Sequence, residues 1–504
     1  MRRISSYMAS ISKHHYRHNT KAASLIISGV GIAAAAWISF VRAKRTKQKD
    51  DGDVSSQTAH EQLIEGGTPL IKLRFVSKLI KRSIYVKMES MNPGGTGKDR
   101  AALNMIRVAE KEKKLPPAIS VGGTYDDELF LQESSSVGKT CHCNTNEVTA
   151  SMIEKDLESM ILQAMESSRT GGLVVEGTSG STGIALATLC ASRGHACLVV
   201  LPDDQAIEKQ LILRSLGAVV YEVPTASISN PKHYVNLGRK AAMIAREKYG
   251  FHAIFVDQFE NMSNFDVHYH QTGPEILRQL NGRQLDAFVM SSGTGGTIAG
   301  IAKYLKERNR HNNDTTIFRL LRQIIGIAFS VVKNNDSSKY GIEVVLVDPP
   351  GSVLYNKIEH GVAYTTEQRE RHMRKHRYDT IAEGIGLDRV TRNFSSGVNF
   401  IDRAIRVTDQ EAVDMAHWIL QTEGLWVGSS SAMNLVGAIR TALSYPGECS
   451  VLTFICDGGQ RHLTRFWDPK FIERWGLQWP APNCIPECLQ SALPSRRVYV
   501  HSSK

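Results

Sequence analysis

From about residue 171 onward the chain alternates short, almost unbroken apolar runs with stretches of helical periodicity. Runs at 173–175, 197–201, 218–221, 253–256 and 287–290 lead into helical patterns around 184–187 and at 207–216, 234–249, 273–280 and 298–305. Strands apolar on both faces and joined by helical crossovers predict parallel sheets covered by helices, an α/β architecture. At 504 residues the chain exceeds one ordinary core, so two lobes are expected. A hydrophobic share of 42% with 22% charged residues excludes a disordered or fibrous chain.

The net charge of +11 does not describe that folded part. Ten Lys and Arg and no acid precede Asp50, so the remainder is nearly neutral and carries no basic footprint for nucleic acid. Within this head, residues 22–41 run twenty positions without a charge. At about 1.5 Å per residue they form roughly 30 Å of helix, the hydrocarbon thickness of a bilayer. We read 1–21 as a basic N-terminal segment, 22–41 as a single transmembrane anchor and 42–60 as a polar tether. The long polar lead weakens a secretory signal, and a uniformly apolar run is not the amphipathic pattern of a presequence. Basic flanks on both sides oppose a buried soluble helix, and the denser charge after the run places the body on the cytosolic side.

The body is expected at 61–479, followed by a polar tail at 480–504. Its smaller lobe spans about 84–260 with an insertion at 112–170; its larger lobe takes 61–83 and 261–479 with an insertion at 309–340. Inside the first insertion Ile153, Leu157, Met160 and Ile161 share one helix face, which packs onto the body in preference to docking a partner. The second insertion holds a nine-residue apolar run, 324–332, too short to span a membrane. It reads as a surface excursion or as a mistaken exon boundary. Eight cysteines are too sparse for a disulfide framework and suit a reducing compartment. Cys141-His142-Cys143 and the Cys484/Cys488 pair lack a matched second pair, so no metal site is assigned.

Four turns rich in Gly, Ser and Thr carry the chemistry, together with one lysine. NPGGTGKDRAA at 92–102 follows a strand-like stretch and opens a helix, placing Lys98 at a helix N-terminus. Desolvation and the positive end of the helix dipole there favour a neutral amine, the form that attacks an aldehyde. In GTSGSTG at 177–183, the hydroxyls of Thr178, Ser179, Ser181 and Thr182 join opened backbone N–H groups at a helix start, a cradle for a carboxylate. A plain capped helix needs only one of them. In SSGTGGTIAG at 291–300, Gly293, Gly295 and Gly296 let backbone N–H groups converge on a phosphate, with Thr294 and Thr297 as further donors. A dinucleotide fingerprint fails, because Ile298 stands where Gly or Ala is required. EGLWVGSSSAMN at 423–434 delivers Ser430 to another helix start. If the site holds a cofactor with a pyridine ring, an assumption this turn does not itself establish, a serine facing the ring nitrogen leaves it largely unprotonated, which suits replacement at Cβ better than transamination.

In this order, and with Gly66-Gly67-Thr68-Pro69-Leu70, TGPEI at 272–276, LVDPPGS at 346–352, EGIG at 383–386 and CDGGQRHLTRFW at 456–467, the segments resemble the cysteine synthase and cystathionine β-synthase family of pyridoxal-phosphate enzymes. GTSGSTG and LPDDQAIEKQ are most similar to its membrane-anchored, cysteine synthase-like fungal branch. The resemblance implies the two-domain tryptophan-synthase-β-like fold (fold type II) and pyridoxal 5'-phosphate as cofactor. It implies Lys98 as the Schiff-base lysine, residues 293–297 on the phosphate and Ser430 at the pyridine nitrogen. Thr178, Ser179, Thr182 and Gln258 are then expected on the substrate carboxylate. Ser181 stands near the cofactor's phenolic oxygen where most members have asparagine, and Gly95-Thr96-Gly97 replaces the usual residues before the lysine.

The implied reaction is replacement at Cβ of O-acetylserine or a related serine derivative by sulfide, giving cysteine, in a homodimer anchored in the mitochondrial outer membrane with its body in the cytosol. Two alternatives remain beside it. A cystathionine β-synthase uses homocysteine as thiol; no cysteine precedes Cys141 and fewer than forty residues follow Phe466, which argues against its haem-binding, regulated form. A non-catalytic anchored scaffold is opposed by Lys98, on which a purely structural role makes no demand.

Overall fold

Strands whose every side chain is apolar must bury both faces, and the chain solves this with two sheets. The computed structural model describes residues 57–119, 150–226, 228–313, 341–365 and 380–492. The 22–41 segment, Cys141-His142-Cys143 and residues 314–340 of the second insertion lie outside the described residues. Among the described residues no helix is long and apolar enough to cross a membrane.

Ten strands are described: β1 (Leu70–Lys72), β2 (Ser83–Met88), β3 (Gly172–Gly177), β4 (Ala196–Pro202), β5 (Val219–Val223), β6 (His252–Phe255), β7 (Ala287–Ser291), β8 (Glu343–Asp348), β9 (Arg403–Arg406) and β10 (Ser450–Ile455). One sheet runs β5-β4-β3-β6, all parallel; the other runs β1-β2-β10-β7-β8-β9, parallel except for the β1–β2 edge pair. Every residue of β3 and β4 is buried, which is what the unbroken apolar runs demanded. Helices Lys98–Lys111 and Ser181–Arg193 pack on one face of the four-stranded sheet through Ala102, Ile106, Ile184 and Leu189.

The other face is covered by helices Ala150–Glu166 and Tyr234–Glu247, with Leu157, Ile161, Ala241 and Ala245 fully buried. The apolar stripe of Ala150–Glu166 therefore packs onto the body. This helix is a structural layer rather than an inserted excursion, and Leu115 too lies in the core.

Three further boundaries differ from the sequence reading. Strand β2, expected in the smaller lobe from residue 84, belongs to the larger sheet, where all six of its residues run in register with β10 from Ser83↔Ser450 to Met88↔Ile455. The tether gives way to helix Ala59–Gly66, because Thr58 and Glu61 form a reciprocal capping box. At the other end Leu489, in the short helix Glu487–Gln490, is buried in the larger core, so the body continues past 479 into the expected tail.

Candidate active site

The carboxyl ends of the parallel strands in both sheets point at one cavity of about 830 Å³, the position where open α/β sheets bind ligands. Three of the four expected turns leave a strand there, while the 423–434 turn joins the helices Asp409–Glu423 and Ser429–Ser444. The 92–97 turn follows β2, the 178–182 turn follows β3, Gln258 follows β6, the 293–297 turn follows β7, and Cys456 and Asp457 follow β10. Lys98, Ser179, Ser181, Thr182, Gln258, Gly293, Thr294, Gly295, Thr297 and Ser430 all line the cavity. Thr178 and Gly296 do not. Thr178 is buried, its hydroxyl accepting from the Gly180 N–H at 3.2 Å, and Gly296 is the first residue of the helix Gly296–Asn313.

Lys98 is the first residue of its helix, and its backbone N–H donates to Thr96 Oγ1 at 3.3 Å. Burial holds its ammonium below the usual lysine range, against the opposing pull of Cys456 and Asp457. Behind it, burial and then Asp457 push the Cys456 thiol up to about 12, so it stays protonated next to Ser430.

The glycine turn is shaped by what surrounds it. A Cβ on Gly293 would stand 2.2 Å from the Gly384 carbonyl oxygen, and Gly295 has φ +89° with Phe394 pressed against it. Asn264 Nδ2 donates to Thr294 Oγ1 at 2.8 Å, and the Thr391 hydroxyl donates to the Thr294 carbonyl at 2.8 Å. Thr297 Oγ1 is 3.1 Å from His268 Nε2, whose Nδ1 is 3.0 Å from Thr272 Oγ1. Burial takes His268 down to about 3, so the ring is neutral and pairs with hydroxyls.

On the opposite wall Thr182 Oγ1 donates to Gln258 Oε1 at 2.5 Å. Gln258 is held from below by Glu176, whose carboxyl accepts from the Asp257 N–H at 2.9 Å and the Gln258 N–H at 3.5 Å. Burial, then the Asp257 carboxylate, raise Glu176 to about 8.

These residues fit a phosphorylated pyridoxal. The glycine cradle leaves no room for side chains, the buried hydroxyls of Ser291 and Ser292 line the cavity without a protein partner, and the lysine is biased toward its neutral form.

The profile of the pyridoxal-phosphate dependent enzyme family matches residues 61–124 and 139–457. Over 442 residues the chain is 38% identical to a Saccharomyces cerevisiae protein described as "Putative mitochondrial cysteine synthase", covering 88% of this chain and 91% of that one. The chain belongs to the cysteine synthase and cystathionine β-synthase family of pyridoxal-phosphate enzymes. Its cofactor is pyridoxal 5'-phosphate. A cysteine synthase 2 from Neurospora crassa is 39% identical over 419 residues, 82% of this chain and 73% of that relative. A cystathionine β-synthase from Apis mellifera is 30% identical over 418 residues, 82% of this chain but 62% of that protein. The crystal structure of an O-ureido-L-serine synthase, 24% identical, superposes with a TM-score of 0.52 over 80% of this chain and 93% of that one, and shows the same fold.

Sequence reasoning missed several groups of this family site. His268 and Asn264 brace the glycine turn from the stretch just before TGPEI. Glu383, Lys209, His462 and Arg465 form a charged cluster beside the 178–182 turn. All four stand in segments singled out for resemblance, yet nothing local shows that they meet.

Proposed function

We propose that the protein makes cysteine by replacing the β-substituent of O-acetylserine or a related O-substituted serine with sulfide. The observation that carries this reading is that Lys98, the glycine turn and the 179–182 turn line one cavity. When bound, the cofactor supplies an electron sink that acidifies the α-proton of an amino acid and labilises its β-substituent. Residues 293–297 would hold its phosphate through backbone N–H groups and the Thr294 and Thr297 hydroxyls. Ser430 would meet its ring nitrogen, and the shorter Ser181 its phenolic side.

Ser179, Thr182 and Gln258 would grip the substrate carboxylate, while Thr178 shapes the turn beneath. Lys98 Nζ, whose charge burial disfavours, would take the α-proton and return one later. The alignment with cysteine synthases over most of their length supports sulfide as the thiol. The apolar 22–41 run supports membrane anchoring, and the mitochondrial description of the yeast relative supports a mitochondrial membrane; an outer-membrane site with the body cytosolic, and pairing as a homodimer, complete the proposal.

The test is product analysis of the full-length holoenzyme supplied with O-acetylserine and sulfide, or with serine and homocysteine. Cysteine as the faster product is expected. Cystathionine as the faster product would move the protein to the homocysteine-using branch, and no product from any serine derivative would favour the scaffold.

A further inference from the structure

Glu383 sits where three turns meet. Its backbone N–H donates to Ser429 Oγ at 3.3 Å, next to Ser430, and the following carbonyl, that of Gly384, closes over Gly293. Its side chain reaches away from these cofactor-side turns to the ammonium of Lys209, in the helix Ile207–Ser215 that follows β4. Lys209 Nζ lies 3.4 Å from the carbonyl oxygen of Ser179. The Lys209 stem also fills the space next to Gly180, whose φ is +121° and whose Cβ would come within 2.5 Å of Lys209 Cδ. Only 2% of the Lys209 side chain and 6% of that of Glu383 are exposed, so water does not screen the pair.

Two groups of the larger lobe anchor Glu383 independently. His462 Nδ1 is 3.1 Å and Arg465 Nε 2.9 Å from its carboxylate. Burial would push this carboxyl up, but Lys209, His462 and Arg465 hold it well below the usual carboxylate range. Glu383 is thus a fixed anion, and Lys209 is the cation that connects it to the 179–182 turn.

We propose that Lys209 and Glu383 are positioning residues, an ion pair that ties the 179–182 turn to the cofactor-side turns and holds it in the geometry that grips an α-amino acid carboxylate. This rests on the assignment of Ser179 and Thr182 to the carboxylate made above. Removing Lys209 leaves Glu383 two cations, so the loss falls on the turn rather than on the core.

The experiment uses full-length holoenzyme and L-alanine, which has the carboxylate and amine but no leaving group. Calorimetry is expected to show Lys209→Met and Glu383→Gln weakening L-alanine at least tenfold, with the double variant within twofold of the weaker single one, as one shared interaction requires. Lys209→Arg should restore binding to within about threefold, and cofactor affinity should change less than threefold in all four proteins. Hydrogen exchange of the peptide covering 177–183 should accelerate in Lys209→Met without ligand. Unchanged exchange there, wild-type affinity for L-alanine in either single variant, or equal losses of cofactor and L-alanine would each overturn the proposal. Absence of L-alanine binding by the wild type would instead remove the assigned function, and the proposal with it.

Discussion

His462 offers a stability signature that can be worked from the structure. Its Nε2 is 3.0 Å from Asp457 Oδ2 and its Nδ1 3.1 Å from Glu383 Oε2, with 2% of the side chain exposed. Burial lowers the imidazole, but the Asp457 and Glu383 carboxylates outweigh it and raise His462 to about 9. The folded value lies above the unfolded one near 6.5, so this pairing contributes fully below about pH 6.5 and is lost as pH rises through about 9. At about 1.4 kcal/mol per pH unit, the gap corresponds to about 3 kcal/mol.

Other buried acids move stability in the same direction. Asp99 and Asp348 are raised to about 7 and Glu176 to about 8, each first by burial, and each penalises the folded state as it ionises. Those contributions are common to wild type and His462→Gln, so the difference between the two proteins reports the imidazole together with the Asp457 and Glu383 carboxylates it pairs with. Urea unfolding at several pH values is expected to show the wild type ahead near pH 6, with the lead shrinking by about 3 kcal/mol by about pH 10. Parallel pH profiles for the two proteins would refute the assignment of a charged His462.

Glu176→Gln removes a carboxyl that penalises the folded state increasingly from about pH 4.5 to about 8, so urea unfolding should find the variant more stable than wild type near pH 8.5 and not near pH 5. Gly293→Ala drives a methyl into the Gly384 carbonyl, so the purified protein should carry far less cofactor by absorbance while its circular dichroism stays that of wild type. Leu157→Ala empties a fully buried site and should cost about 2–5 kcal/mol in denaturation; a partner-docking face would lose almost nothing.

The sheets were legible because burial on both faces leaves a mark that needs no partner to be read. The 173–175, 197–201 and 287–290 runs that mark β3, β4 and β7 are apolar and buried, and the helix Gly273–Leu280 falls where its periodicity put it. Lys98 and the glycine turn were legible because a turn between strand and helix is a local pattern with a local consequence. Membership of a sheet is not local. The side chains of β2 fit either lobe, and only pairing with β10, more than 360 residues later, decides the matter. The same holds for Lys209 and Glu383, 174 residues apart, and for His462, whose charge depends on two carboxylates brought in by different segments. Thr178 and Thr182 read alike in GTSGSTG. The backbone turns one hydroxyl into the turn and the other onto the cavity wall.

The chemistry depends on a covalent attachment at one lysine, and borohydride reduction of the purified holoenzyme followed by peptide mapping reads that attachment residue by residue. Pyridoxal phosphate reduced onto Lys98, and lost in Lys98→Ala, is the expected result. Label on another lysine, or none on a protein that has been supplied with the cofactor, would contradict the account.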